Sequence, residues 1–148
     1  MSITADDIYS AFEEMGLRNT RPRRLIAEKL ADFAAAGRDF ATDELWSDLK
    51  RVDAELGRAT VFRAVDLLVE QGILDRVAFA DGSHRFRVCG RAADHHHHHL
   101  TCTRCRRVEE VDACLSPSVL DAIGHETGFT LEGHAVELFG LCPACRRS

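Results

Sequence analysis

From Thr4 to Gly72 apolar residues recur every three or four positions, and beyond Gly72 they recur every second one, so a helical half precedes a half rich in strands. Thr4 is a natural cap for a helix whose inner face is Ile8, Phe12 and Met15, and Gly16 stops it. A second helix opens behind Thr20 with Pro22 in its first turn, presents Leu25, Ile26, Leu30 and Phe33, and closes over Ala34 to Gly37. The third begins at Thr42, turns Leu45, Trp46 and Leu49 inward, and has ended by Gly57. The fourth runs from Arg58 to Gln71 on Val61, Val65, Leu68 and Val69, with Gly72 as its stop. Two strands then follow, Ile73 to Phe79 and His84 to Val88, joined at Asp81-Gly82, a strong hairpin signal. Helices followed by a hairpin predict a winged helix-turn-helix, in which the third helix supports, the fourth enters the DNA major groove and the hairpin lies along the backbone. The same order of elements also serves in protein-interaction domains, so topology alone leaves both uses open.

Cys89 to Asp94 is a short polar connector, which sets the expected domains at residues 1–89 and 95–148 with 90–94 between them. Past it, His96 to Thr101 and Val108 to Val111 are expected strands around a first Cys-x-x-Cys. Ser116 and Pro117 open a helix through Val119, Leu120 and Ile123 that stops at Gly128, and Phe129 to Phe139 alternates as one or two further strands. An α+β unit of this size has little core of its own and needs a metal, a partner subunit or both.

Composition narrows the setting. With 148 residues, 45% hydrophobic and 29% charged, the chain is long enough for one ordinary domain or two small ones. No apolar run approaches the ~20 residues that span a bilayer, and MSITADDIYS lacks the features of a signal peptide, so a cytoplasmic protein with no membrane partner is expected. The net charge of -5 argues weakly against nucleic acid, and residues 1–90 carry 13 Lys and Arg against 16 Asp and Glu. Distribution matters more than the sum: Arg18, Arg21, Arg23 and Arg24 cluster before the second helix, and Arg58 and Arg63 flank the start of the fourth. Such patches contact phosphates within an acidic molecule, or form a solvated arginine face.

The densest chemistry is in the second half. Cys102/Cys105 and Cys142/Cys145 form two Cys-x-x-Cys pairs, a tetrahedral thiolate set for a structural zinc ion (Zn2+) closed to substrate. Disulfides fit a reducing compartment poorly. Five histidines, His95 to His99, stop just short of the first pair. In a strand His97 and His99 project one way and His96 and His98 the other, so one segment feeds two metal sites. Cys89, the nearest thiol, and Asp75, on the facing strand, complete a first regulatory set of Asp75, Cys89, His97 and His99, which prefers zinc over manganese or iron(II). A two-residue turn at Asp81-Gly82 would pair Ala80 with Ser83 and set Leu74 opposite Cys89, leaving Asp75 and Cys89 facing apart unless a bulge intervenes. His96, His98 and His134 form a candidate second regulatory set. Glu110, Asp112 and Asp121 are spare oxygen donors, whereas Cys114, His84 and His125 are expected in structural roles. A zinc hydrolase with Glu110 as base, which would leave the N-terminal helices without a purpose, and a loose metal-storage protein are the readings from other classes.

Gly57-Arg58-Ala59-Thr60-Val61-Phe62-Arg63-Ala64, His95 to His99 and the two Cys-x-x-Cys pairs resemble the ferric uptake regulator family over nearly the whole chain. The resemblance implies an α+β protein with an N-terminal winged helix and a small α/β dimerisation domain, acting as a homodimeric, metal-dependent transcriptional repressor on palindromic double-stranded operator DNA. It also implies that Arg58, Thr60, Phe62 and Arg63 read bases and that Arg18, Arg21, Arg23 and Arg24 meet phosphates. Iron and peroxide sensors of the family typically carry a histidine before the third helix, where this chain has Arg38-Asp39-Phe40. Zinc-sensing members match better, through Asp75, Cys89, His97 and His99, with Fe2+ or Mn2+ as the alternative regulatory ions. At the second site the family's usual glutamate falls on Pro117.

Overall fold

The structure is a computed structural model that describes residues 3–89, 98–112 and 114–148. Its elements run α1 (Ala5–Glu14), α2 (Arg21–Ala35), α3 (Thr42–Lys50), α4 (Arg58–Glu70), β1 (Leu74–Ala78), β2 (His84–Val88), β3 (His98–Cys102), β4 (Val108–Val111), α5 (Pro117–Thr127), β5 (Glu137–Gly140) and α6 (Pro143–Arg146). They divide into two compact units, one built from the helical half and most of the hairpin, the other from the hairpin tip and the elements that follow it.

Local chemistry sets the helix starts in the first unit. Thr4 Oγ1 accepts from the Asp7 amide while Asp7 Oδ2 accepts from the Thr4 amide, a reciprocal cap. Thr20 Oγ1 accepts from the Arg23 amide and Pro22 sits in the first turn of α2. The core is one cluster in which Ile8, Phe12, Ile26, Leu30, Phe40, Leu45, Val61 and Leu68 are buried. Each such side chain contributes about 1.5–3 kcal/mol through removal from water. The turn between α3 and α4 is closed by the Trp46 indole N–H, which donates to the Leu56 carbonyl at 3.1 Å.

The wing is tied to the helices twice. Phe40 exchanges two backbone hydrogen bonds with Phe86, at 2.8 and 2.7 Å, and adds a short third rung to the β1–β2 sheet. Beside it, the Arg85 guanidinium bonds Asp39 at 2.5 Å and both carboxylate oxygens of Glu44 at 2.9 Å.

The hairpin turn corrects the expected register. Phe79 donates to Ser83 and Gly82 donates to Phe79, which leaves three residues, Ala80, Asp81 and Gly82, in the loop. Gly82 takes the left-handed conformation, φ +86°, that such a loop demands. The extra residue slides β2 by one position: the Cys89 amide donates to the Ile73 carbonyl at 2.7 Å, so Ile73, not Leu74, stands opposite Cys89. Because side chains alternate, a one-residue slip moves a whole set of side chains to the other face. Asp75 and Cys89 therefore share a face, where a two-residue turn would have parted them.

In the second unit β3 lies between β4, antiparallel, and β5, parallel. The expected alternating strand from Phe129 to Phe139 is only partly realised: 129–136 has no regular structure, and β5 begins at Glu137. Phe129 and Leu131 are exposed, so their alternation faces no packed sheet. Helix α5 is capped by Ser116 Oγ on the Val119 amide and closed by Gly128 at φ +76°, yet it buries none of its residues. Residues 90–94, the expected connector, lie outside the described residues.

Candidate metal centres and nucleic-acid face

The pairing of β3 with β5 sets Cys102 beside Gly140 and thereby brings the two Cys-x-x-Cys segments together. The Thr103 amide donates to the Gly140 carbonyl at 2.8 Å and locks the meeting point. The sulfurs of Cys102, Cys105, Cys142 and Cys145 all lie within 4.8 Å of one another. Cys105 Sγ and Cys142 Sγ are 3.7 Å apart. A tetrahedron of zinc–sulfur bonds of about 2.3 Å has edges of about 3.8 Å, whereas a disulfide would need about 2.05 Å. The cluster thus fits zinc and not a crosslink.

Electrostatics point the same way. Cys102 Sγ accepts from the amides of Cys105 and Cys142, and Cys142 Sγ from that of Cys145, at 3.4–3.5 Å. Those amides hold the Cys102 thiol down at about 5 and the Cys142 thiol below its ordinary value. The Cys142 sulfur and its neighbours push the Cys145 thiol up to about 12. Four sulfurs this close cannot all carry negative charge unaided, and a divalent cation at their centre supplies the missing positive charge.

The histidine strand behaves as alternation requires. His98 pairs with Val111, while His99 pairs with Glu110 on one side and Glu137 on the other, so His98 and His99 project from opposite faces. Both are 3% exposed. On its face His98 meets Cys114 and His134: their ligand atoms lie within 4.8 Å of one another, with Cys114 Sγ to His134 Nε2 at 3.0 Å. Cys114, for which a structural role is expected, thus stands within reach of two imidazoles. The signal available in the sequence was its position, three residues before Pro117, where the family's glutamate is missing.

Of the first regulatory set, Asp75 and Cys89 share a hairpin face and His99 is buried on β3. His95, His96 and His97 lie outside the described residues, and so do the expected pairings of His97 with His99 and of His96 with His98. Among the spare donors, Glu110 flanks His99, Asp112 is exposed and Asp121 lines a cavity of about 690 Å³ with His125 and His134. His84 stands edge-on to the Phe86 ring, a packing role.

On α4, Arg58 and Arg63 are exposed and Thr60 and Phe62 are half-buried. The Arg58 guanidinium lies 4.0 Å from the Phe62 ring centre and bonds Asp43 at 3.0 Å. Arg18, Arg21 and Arg24 are exposed, and Arg21 approaches Asp53 at 3.8 Å. Arg23 differs, because its guanidinium donates to the Arg18 carbonyl at 2.6 Å and props the approach to α2.

A winged helix followed by a sheet stapled through four cysteines defines a winged-helix metalloprotein. The profile of the Ferric uptake regulator family matches residues 14–139, and the chain belongs to that family. It is 31% identical over 122 residues to the ferric uptake regulation protein of Bacillus subtilis (strain 168), spanning 82% of this chain and 78% of that one. To the zinc uptake regulation protein of Mycobacterium tuberculosis it is 32% identical over 134 residues, 88% of this chain and 96% of that one. The crystal structure of holo XcZur superposes with a TM-score of 0.69 at 27% identity, covering 97% of each chain. The protein is accordingly a metal-responsive regulator and not an enzyme, which removes the hydrolase reading. Among the described residues no helix is long and apolar enough to cross a membrane.

Proposed function

We propose that this protein is a zinc-sensing transcriptional repressor of the cytoplasm, binding palindromic operator DNA as a homodimer when its regulatory metal is bound. The observation that carries the reading is the hairpin register, which puts the Cys89 thiol and the Asp75 carboxylate on one face. A thiolate in the ligand set favours zinc over manganese or iron(II), whose sites are richer in oxygen and nitrogen donors. The position before α3, where iron and peroxide sensors typically carry a histidine, holds Asp39 engaged with Arg85, which supports the same choice.

Asp75 and Cys89 from the wing and His97 and His99 from the second unit would hold the regulatory ion, with His98 and His134 contributing to a second site. A bound ion supplies a tether between ligands on either side of the connector. Without it the two winged helices of a dimer sample many spacings; with it, Asp75, Cys89 and His99 restrict them to the spacing of two half-sites. Arg58, Thr60, Phe62 and Arg63 then read bases, and Arg18, Arg21 and Arg24 meet phosphates. Support for the dimer comes from α5 and its surroundings, where Val119, Ile123, Phe129, Leu131 and Phe139 are all exposed.

The test is operator binding against buffered free zinc, iron(II) and manganese(II), with Cys89→Ser compared. Zinc-driven binding that Cys89→Ser abolishes supports the reading. Binding driven by iron(II) or manganese(II) where zinc fails returns the protein to the family's other sensors, a reading that the identity to ferric uptake regulation proteins keeps in play.

A further inference from the structure

We infer that Cys114 is a thiolate ligand of the second site, which makes that site prefer zinc over manganese. This rests on the reading of His98 and His134 as metal ligands and names the donor that reading lacked. Strand β4 ends at Val111, directly beside His98, so the chain needs only three more residues to bring Cys114 over the buried imidazole. Pro117 then starts α5 with Ser116 as its cap, which fixes where the segment leaves. From the other side His134 arrives out of the irregular 129–136 stretch, its ring centre 5.5 Å from that of His98.

Two imidazoles and one sulfur within 4.8 Å form a ligand set of the kind zinc takes in proteins. The 3.0 Å separation of Cys114 Sγ and His134 Nε2 is a hydrogen-bonding contact. Zinc bonds of about 2.0–2.1 Å to nitrogen and about 2.3 Å to sulfur, at tetrahedral angles, open it to about 3.5 Å. That half-ångström adjustment falls on the Cys114 side, which is exposed, while His98 stays buried in the sheet. The fourth position is left to water or a further donor. Replacing a carboxylate by a thiolate at such a site removes the hard oxygen that manganese and iron(II) favour and leaves a softer set for zinc.

The experiment uses the full chain with zinc retained in its four-cysteine cluster and Cys89→Ser throughout, so that Cys114 is the only cysteine outside that cluster. Titration with cobalt(II) is expected to give a thiolate-to-cobalt charge-transfer band. Cys114→Ser should abolish the band and weaken cobalt binding at this site by at least about tenfold. Cys114→Asp should keep the ion without the band and should raise the affinity for manganese(II). Retention of band and affinity in Cys114→Ser, while His134→Ala removes one equivalent of cobalt, overturns the role of Cys114 and leaves the second site standing. A cobalt count unchanged by His134→Ala overturns the site and the cysteine with it.

Discussion

Asp75 and Cys89 lie on the same face of the β1–β2 hairpin because Cys89 pairs with Ile73 and the three-residue loop ending at Gly82 absorbs one extra position. The geometry of the proposed regulatory site therefore depends on a turn that supplies none of its ligands. Replacing Ala80-Asp81-Gly82 by the two-residue turn Asn-Gly should shift the register by one and send Asp75 and Cys89 to opposite faces. The variant is expected to keep its helical circular dichroism and the zinc of its four-cysteine cluster while losing metal-dependent operator binding.

The four-cysteine cluster replaces a core in the second unit, where the described buried residues are Cys102, Thr101 and the two histidines together with the hairpin-tip Phe79. Cys142→Ser, or strong chelation, should therefore unfold that unit selectively, since metal binding energy in such sites is folding energy. Loss of zinc, a fall in dimer content by sedimentation and a retained unfolding transition from the first unit are the expected set of results.

Arg85 joins the wing to the start of α3 through Asp39 and Glu44, and the pair is only partly shielded, with side-chain exposures of 24% for Arg85 and 40% for Glu44. Arg85→Ala should accordingly cost about 1 kcal/mol, near the upper end for exposed pairs. The hydrogen bond from Arg85 holds the Glu44 carboxyl below its ordinary value of 4.5. A depressed carboxylate contributes stability that is complete above the unfolded value and disappears as pH falls through the folded one. Thermal unfolding should show the Arg85→Ala deficit at pH 7 and its disappearance in the acid range below 4.5.

Helix α5 carries Val119 and Ile123 at 45% and 40% exposure on a helix that buries nothing. Ile123→Glu should convert the dimer to a monomer without altering zinc content, measured by sedimentation. Operator affinity should fall with it, since each half-site alone is held by one winged helix.

Much of this was legible in the chain. Helices α1 to α4 declared themselves because an apolar residue every three or four positions coincided with Thr4, Thr20 and Gly72 at their ends, local signals that tertiary contacts had no cause to override. The four-cysteine cluster was visible for the same reason, since its ligands come as two short-range pairs. What escaped depended on long-range or conformational detail. Asp81-Gly82 marks a turn but does not count its residues. Phe129 and Leu131 alternate without a neighbouring strand to pair with. Cys114 acquires a role only because the β3–β4 register sets its segment beside His98, 16 residues earlier in the chain.

Whether zinc, acting through Cys89, switches DNA binding is the question on which the proposed function turns. Fluorescence anisotropy of a palindromic operator, read while free zinc is raised in a metal buffer, should show tight binding for the unaltered protein and none for Cys89→Ser at the same zinc activity, with both proteins retaining the zinc of the four-cysteine cluster. Equal zinc-dependent binding by the two proteins would contradict it.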